Sequence, residues 1–331
     1  MGLAVSSGAE AATVDDTRRV LVTGGAGFIG SHVAEAFLAA GDEVLVVDDL
    51  SHGDTANVPA GATLARVDIV DRRALADVFA SFVPTAICHL AAQASVTASV
   101  KDPGHDLSVN VMGTFNVVDL AKDHNAPVVF ASTGGALYGE DAVRPSPETT
   151  WAQPLSPYGA SKLAGEAYVR TWGGLHHQRN VVLRLANVYG PRQNPHGEAG
   201  VVAIFSERLR RGEDVTVYGD GHQTRDYVYV TDVARAFFLA VTAVPQAGSA
   251  EDGARTTFNV GTGRESSVLD LLDVLEGEAP STVQRHFEPL RPGELLRSAL
   301  DAARLRTAFG WEPRVGLAEG LAETYRSYAG A

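Results

Sequence analysis

A doubly wound α/β fold, a parallel sheet with helices on both faces and a smaller mixed α/β region beside it, is predicted by three features of the sequence. Short apolar runs alternate with amphipathic stretches from Arg19 to Asn187, the pattern of strand–helix–strand units in a parallel sheet. A glycine-rich turn, TGGAGFIGSH from Thr23 to His32, joins the first apolar run to the first helical stretch. An acid, Asp48, closes the second run.

Taken in order, RRVLVT reads as the first strand and the residues from Phe28 as the first helix. DEVLVVDD and ATLARVD are the second and third strands, and a helix follows Asp71. TAICHLAA is the fourth strand, VNVMGTFNVVDLAKDH (Val109–His124) a helix, and APVVFAS the fifth strand. A proline-rich loop, VRPSPETTWAQPLSP, then interrupts the alternation. Beyond it the helix YGASKLAGEAYVRTW is expected to start with Ser156 as N-cap and Pro157 in the first helical position, before the strand VVLRLA. After Asn187 loops such as GPRQNPHGEAG and GDGHQTRDY mix with short helices, which predicts a smaller region closing over the carboxyl ends of the strands, where open α/β sheets bind ligands. The expected division is a flexible leader over 1–17, a dinucleotide domain over 18–186 with a returning segment near 228–260, and a mainly substrate-binding region over 187–331. No internal repeat is present.

The 331 residues are 45% hydrophobic, enough for a full core. A formal net charge of −13 argues against non-specific nucleic-acid or anionic-membrane binding, either of which needs a basic surface. The single cysteine, Cys88, leaves no internal disulfide, and no apolar run approaches the roughly 20 residues of a membrane span. MGLAVSSGAEAATVDD has neither the basic start nor the apolar stretch of a signal peptide, so a cytoplasmic protein is expected.

Gly24, Gly27 and Gly30 stand where backbone must come close to something, and a helix N-terminus favours an anion; a pyrophosphate fits both. At the end of the second strand, Asp48 can accept from both adenosine ribose hydroxyls and would repel a 2'-phosphate, which selects NAD over NADP in a Rossmann-type fold. The plainer alternative is a tight turn and a capping acid. Asp68, in RVDIVD, is either an adenine contact or a helix N-cap.

Tyr158 and Lys162 lie one turn apart on one helix face. Such a pair also arises as a surface contact, but with the nucleotide loop upstream it suggests an acid/base couple. A tyrosine acting as base near neutral pH needs its pKa lowered by about 3 units, or about 4 kcal/mol. A lysine at about 4 Å supplies about 1 kcal/mol in bulk water and about 4 at an effective dielectric of 20. Lys162 therefore suffices only in a sheltered site, where the charge of oxidised nicotinamide would help.

These segments resemble the extended short-chain dehydrogenase/reductases, in the NAD-dependent nucleotide-sugar epimerase/dehydratase branch. The likeness runs from about Arg19 to the C-terminus, through TGGAGFIGSH, VVDDL, Asp68–Ile69, HLAAQASV, SVNVMGTFNV, FASTGGALYGE, SPYGASKLAGE, RLANVYGPRQNPHGEAGVVAIF, VTVYGDGHQTRDYVYVTDVA and LRPGELLRSALD. It implies 4-epimerisation of a UDP-hexose through a 4-keto sugar, with NAD retained. Tyr158 and Lys162 become catalytic, together with a hydroxyl that bridges tyrosine and sugar. Thr133 fits that place, with Ser132 as the alternative because one additional glycine precedes Tyr138. The cofactor site would comprise Gly24, Gly27, Phe28, Ile29, Gly30, Asp48, Asp49, Asp68, Ile69 and the small stretch Leu90, Ala91 and Ala92, with Asn110 near the catalytic hydroxyls. Substrate would meet Asn187, Val201, Thr216 and Tyr218 at the base, and Arg225 and Arg291 as diphosphate clamps, forks suited to phosphate. In the family a bulky Tyr seven positions after the second clamp excludes an N-acetyl group; here that position is Ser298, so N-acetyl sugars are expected to turn over unless Arg297 fills the space. Cys88 and His89 read as packed residues, no metal site is expected, and the resemblance implies a homodimer through helices Val109–His124 and Ala160–Val169.

Three alternatives stand beside this expectation. A 4,6-dehydratase would need acids where Gly134 and Gly135 stand. A uronate epimerase would hold the sugar carboxylate; this chain has Asn187 and Asn194 nearby, and Arg192 could reach it. A dinucleotide-sensing module would use the fold without chemistry, and would have no need of Tyr158 and Lys162.

Overall fold

The computed structural model describes residues 17–196, 200–243, 256–280, 282–290 and 295–329. The expected leader falls outside these residues except for Thr17. Six strands carry the first half: β1 (Arg19–Thr23), β2 (Glu43–Asp48), β3 (Thr63–Arg66), β4 (Ala86–His89), β5 (Val128–Thr133) and β6 (Val181–Leu185). The smaller strands are β7 (Asn187–Tyr189), β8 (Val215–Tyr218), β9 (Thr224–Arg225), β10 (Tyr227–Tyr229), β11 (Thr257–Val260), β12 (Ser266–Ser267) and β13 (Arg285–Glu288). Helices are α1 (Phe28–Ala39), α2 (Arg72–Phe82), α3 (Val96–Lys101), α4 (Pro103–Leu107), α5 (Thr114–Asp123), α6 (Pro157–Leu175), α7 (Val201–Arg211), α8 (Val230–Thr242), α9 (Val268–Glu278), α10 (Ala303–Phe309) and α11 (Leu317–Ala329).

Seven parallel strands form one sheet in the order β11-β6-β5-β4-β1-β2-β3, the doubly wound arrangement expected. Strand order reverses between β1 and β4, the switch point beyond whose carboxyl ends open α/β sheets bind ligands. Alternation along each strand divides the core between the two faces. Val20, Val22, Val44 and Val46 pack on one side with Phe37 of α1 and Phe237 of α8. Leu21, Leu45 and Ile87 pack on the other with Phe79 of α2, Val117 of α5 and Phe130. A third core of Phe205, Val217, Leu271, Leu275 and Leu321 holds α7, α9 and α11 to β8. The pairs β7–β10, β8–β13 and β9–β12 belong to the irregular part of the chain, and only β9–β12 is antiparallel.

The helix expected over Val109–His124 begins earlier and is interrupted. α4 runs into a π-helical turn, Ser108–Gly113, before α5. The wider turn inserts a residue into the helical ladder, and Asn110 within it is buried. Among the described residues no helix is long and apolar enough to cross a membrane.

Candidate active site

The glycine turn is built by close packing of backbone on backbone. Gly24 takes φ +72°, and a Cβ there would lie 2.6 Å from the Ala91 nitrogen. A side chain at Gly30 would run into the Gly24 carbonyl, so α1 packs directly on the turn. Gly27 is the N-cap of α1 and no side chain caps that end, which leaves the amides of the first turn, Phe28 and Ile29, to an external acceptor. Leu90 and Ala91 both donate backbone N–H to Thr23 Oγ1 at 3.2 Å, drawing the stretch through Ala92 against the turn.

Asp48 is buried and already works within the loop. Its Oδ2 accepts from Ala26 N at 3.0 Å and its Oδ1 from Leu50 N at 2.9 Å. Each carboxylate oxygen keeps a second lone pair for a ribose hydroxyl. Asp49 Oδ1 accepts from Ser51 N and Oγ at 2.9 and 2.7 Å. Asp68 is not the helix cap: it accepts from Val70 N at 2.8 Å, whereas Asp71 caps α2 through Arg73 N and Ala74 N. Ile69 is buried beside Gly113. An uncapped helix end facing a side-chain-free turn, with a carboxylate closing β2, fits the diphosphate and ribose of a dinucleotide.

Helix α6 starts as expected. Ser156 Oγ accepts from Gly159 N at 3.1 Å, Pro157 opens α6, and Tyr158 N donates to Ser99 Oγ at 3.1 Å. The Tyr158 hydroxyl is hydrogen-bonded to that of Thr133. Ser132 faces the other way and donates to Glu166 Oε1 at 2.6 Å. Of the two candidate hydroxyls, Thr133 is thus the one at the tyrosine. Lys162 Nζ donates to the Ala131 carbonyl at 2.9 Å and stands 4.8 Å from the centre of the Phe130 ring.

Shelter does not lower the phenol by itself. Burial pushes Tyr158 up to about 12, the Thr133 hydrogen bond works against that rise, and the Asp106 charge adds to it. Burial lowers Lys162 to about 8, opposed by Asp106 and Glu166. The sequence makes Lys162 sufficient only in a sheltered site and with help from the oxidised nicotinamide; in the protein alone that shelter itself raises the phenol, because desolvation disfavours the phenolate. His89 lies in the core between Thr23 Oγ1 (2.7 Å) and Thr114 Oγ1 (3.0 Å), and burial, aided by Lys162, drives it to about 3. Cys88 is buried, and among the described residues no cluster of His, Cys, Asp and Glu could hold a metal ion.

A cavity of about 560 Å³ lies beyond β7 and β8, and Asn187, Val201, Thr216, Tyr218 and Arg225 all line it. Ser298 is outside its walls but adjoins it: Ser298 N donates to Thr224 O at 3.2 Å, next to Arg225. Arg297 Nε donates to Glu265 at 2.9 Å, so its guanidinium is engaged there. Arg291 lies outside the described residues. Arg192, weighed for a sugar carboxylate, is paired with Glu35 of α1 at 2.5 Å and donates to His32 Nδ1 at 2.7 Å.

Two further residues of QTRDY take roles that the sequence alone does not assign. Gln223 lines the cavity and donates to the Tyr218 carbonyl at 2.7 Å, fixing the turn that follows β8. The buried Asp226 accepts from Thr262 N and Oγ1 (2.8 and 2.6 Å), Gly263 N (3.0 Å) and Leu300 N (3.1 Å), tying the segment beside Arg225 to two distant loops. Their adjacency to Arg225 was the available signal.

A model of the NAD dependent epimerase/dehydratase family matches residues 20–261. The chain is 45% identical over 312 residues to the UDP-glucose 4-epimerase of Mycolicibacterium smegmatis, covering 92% of this chain and 97% of that protein. The crystal structure of Thermus thermophilus UDP-glucose 4-epimerase in complex with NAD is similar at TM-score 0.87 and 45% identity, over 95% of this chain and 99% of that one. That of the Thermotoga maritima UDP-glucose 4-epimerase with UDP-glucose is similar at TM-score 0.88 and 42% identity, over 94% and 98%.

Proposed function

The chain belongs to the NAD-dependent epimerase/dehydratase family, and on that premise we propose that it interconverts UDP-glucose and UDP-galactose, through a 4-keto sugar, with NAD held throughout. The observation that carries the proposal is the hydrogen-bonded pair Thr133–Tyr158, one helical turn from Lys162 and at the same carboxyl edge of the sheet as the glycine turn. The amides of Phe28 and Ile29 would hold the NAD diphosphate and Asp48 the adenosine ribose. NAD, when bound, supplies reversible hydride transfer at C4.

The residues of the chain handle the proton. Tyr158 takes it from O4 on oxidation and returns it on reduction, and Thr133, bonded to the same hydroxyl, aligns O4. A phenol at about 12 is protonated at neutral pH. Each unit of lowering needs about 1.4 kcal/mol, and the cations available are Lys162 and the oxidised nicotinamide. The substrate's diphosphate would be gripped by Arg225 and Arg291, with Asn187, Val201, Thr216 and Tyr218 around the base. A firm hold on UDP and a loose one on the hexose let the sugar present either face.

Elimination chemistry finds no support. A side chain at Gly134 would collide with Leu300, so no acid fits there without repacking, and Gly135 offers none. The engagement of Arg192 with Glu35 weakens the uronate alternative. Purified protein should interconvert UDP-glucose and UDP-galactose with no cofactor added. A fully NAD-loaded preparation that leaves both unchanged, or that yields a 4-keto-6-deoxy sugar, overturns the proposal.

N-acetylated sugars are included. Ser298 presents no wall, and Arg297 is held by Glu265 rather than folded into the space. Ser298→Tyr should depress kcat/KM for UDP-N-acetylglucosamine by about tenfold or more relative to UDP-glucose, since steric rejection needs a wall. Competing both substrates against wild type measures it, and equal loss for both would assign Ser298 a different role.

The proposal extends to a cytoplasmic homodimer with an NAD domain over 18–186, joined by the segment near 228–260, and a substrate region over 187–331. The rings of Phe115, Tyr168 and Trp172 pack together on α5 and α6 with Tyr168 exposed, an apolar cluster on the two helices that supports the dimer.

A further inference from the structure

Asp106 of α4 is 1% exposed. Its Oδ1 accepts from Gln93 Nε2 at 2.9 Å and from Asn110 Nδ2 at 3.0 Å, both neutral amides. An amide oxygen could accept the same two bonds, so they do not call for a charge, and burying a carboxylate is the more costly choice. What only the carboxylate supplies is its negative charge. Lys162 is in the converse position, 3% exposed, with its ammonium on a carbonyl oxygen and an aromatic face. Glu166, one turn further along α6, is already matched by Arg184 through bonds of 2.9 and 2.7 Å. Among the described residues these two buried charges of opposite sign thus have no direct ionic partner, and α4 packs against α6. Asn110 Nδ2 also reaches Ser161 Oγ at 3.1 Å, and Ser161 Oγ donates to the Tyr158 carbonyl at 3.0 Å, joining the carboxylate to the helix between Tyr158 and Lys162.

We propose that Asp106 is a positioning residue, the buried counter-charge that keeps Lys162 an ammonium and sets the pH range in which the Tyr158–Lys162 couple works. This rests on the proposed function for its catalytic meaning but not for its electrostatics. The groups facing Lys162 are Tyr158 and Glu166 on α6, the Ala131 carbonyl and Phe130 ring of β5, His89 of β4 and Asp106 of α4. Tyr158 faces Thr133 of β5, Ser99 of α3 and Asp106. His89 is neutral at physiological pH, and Glu166, which also raises Lys162, is paired with Arg184; Asp106 is the charge that acts on Lys162 and Tyr158 alike. A negative charge favours the protonated form of each, raising Lys162 and Tyr158 together.

Asp106→Asn keeps an acceptor for both amides and removes only the charge. The chain has three lysines, Lys101, Lys122 and Lys162, so lysine side-chain NMR with 15Nζ labelling of the cofactor-free protein isolates Lys162 as the signal missing from Lys162→Met. Its titration should fall by about one pH unit in Asp106→Asn and stay in place in Asp106→Glu. In the NAD-loaded enzyme both limbs of the kcat/KM pH profile should move the same way. Asp106→Ala must give the same downward shift if the Asn variant does not fold. A Lys162 titration unmoved by loss of the carboxylate, or a uniform loss of activity with the limbs in place, overturns the inference. Because the NMR experiment uses neither sugar nor NAD, it stands whether or not the epimerase activity is found.

Discussion

Tyr158→Phe is expected to lower kcat by about three orders of magnitude while NAD remains bound, the scale of a general acid/base removed from a positioned site. The substitution deletes one oxygen and keeps the ring, so the packing of α6 on β5 and the glycine turn are left as they are. The lost group is the one hydrogen-bonded to Thr133, and no other described hydroxyl stands in for it: Ser132 is committed to Glu166 and Ser99 to the Tyr158 backbone. Because the interaction matters in proton transfer rather than in gripping UDP, KM should change little. The checks are turnover of UDP-glucose and the NAD recovered from the denatured protein after gel filtration. Near-normal turnover would remove Tyr158 from the mechanism; loss of bound NAD would mean that the change had disturbed the cofactor site instead.

What the sequence made legible was local or periodic. The alternation of strands and helices, the three glycines and the Ser156–Pro157 start each depend on neighbours within a turn or two, and short-range physical chemistry reads them. The second task of Asp48, binding Ala26 N across 22 residues, has no local sign. Neither has the π-helical turn that buries Asn110, because one inserted residue leaves the hydrophobic period nearly intact. Asp106 looks in sequence like an ordinary solvated acid near a helix start, and only packing of α4 on α6 makes it a buried charge. The Tyr158 ionisation is of the same kind: a pairwise attraction to Lys162 can be written from spacing, but the desolvation that pushes the phenol up depends on every element that covers the site. In the region after Asn187, strands of two to four residues pair with partners far along the chain, too short for periodicity to show.

The largest loss of stability should come from the ion pair beneath this site. Glu166 is fully buried and Arg184 nearly so; Arg184 Nε and Nη2 hold the carboxylate at 2.9 and 2.7 Å, and Nη1 donates to the Tyr138 hydroxyl at 2.9 Å. Tyr138 in turn donates to Asn259 Oδ1 at 2.8 Å, so the cluster ties α6 and β6 to β11 at the sheet edge. Arg184→Met leaves a carboxylate with no cation in contact, and breaking such a pair typically costs about 3–5 kcal/mol. The double variant Glu166→Gln with Arg184→Met should recover a good part of this, because an amide can still accept from Ser132 Oγ without carrying a charge. Denaturant midpoints of the two singles and the double, compared at an unchanged slope, give the coupling. A loss below about 1 kcal/mol for Arg184→Met would mean that water or a rearranged donor reaches Glu166. The effect on catalysis follows that on stability. Ser132 precedes Thr133 on β5, so loosening its bond to Glu166 should blur the placement of the Thr133 hydroxyl and reduce kcat modestly, whereas the double variant, which keeps that bond, should recover turnover along with stability.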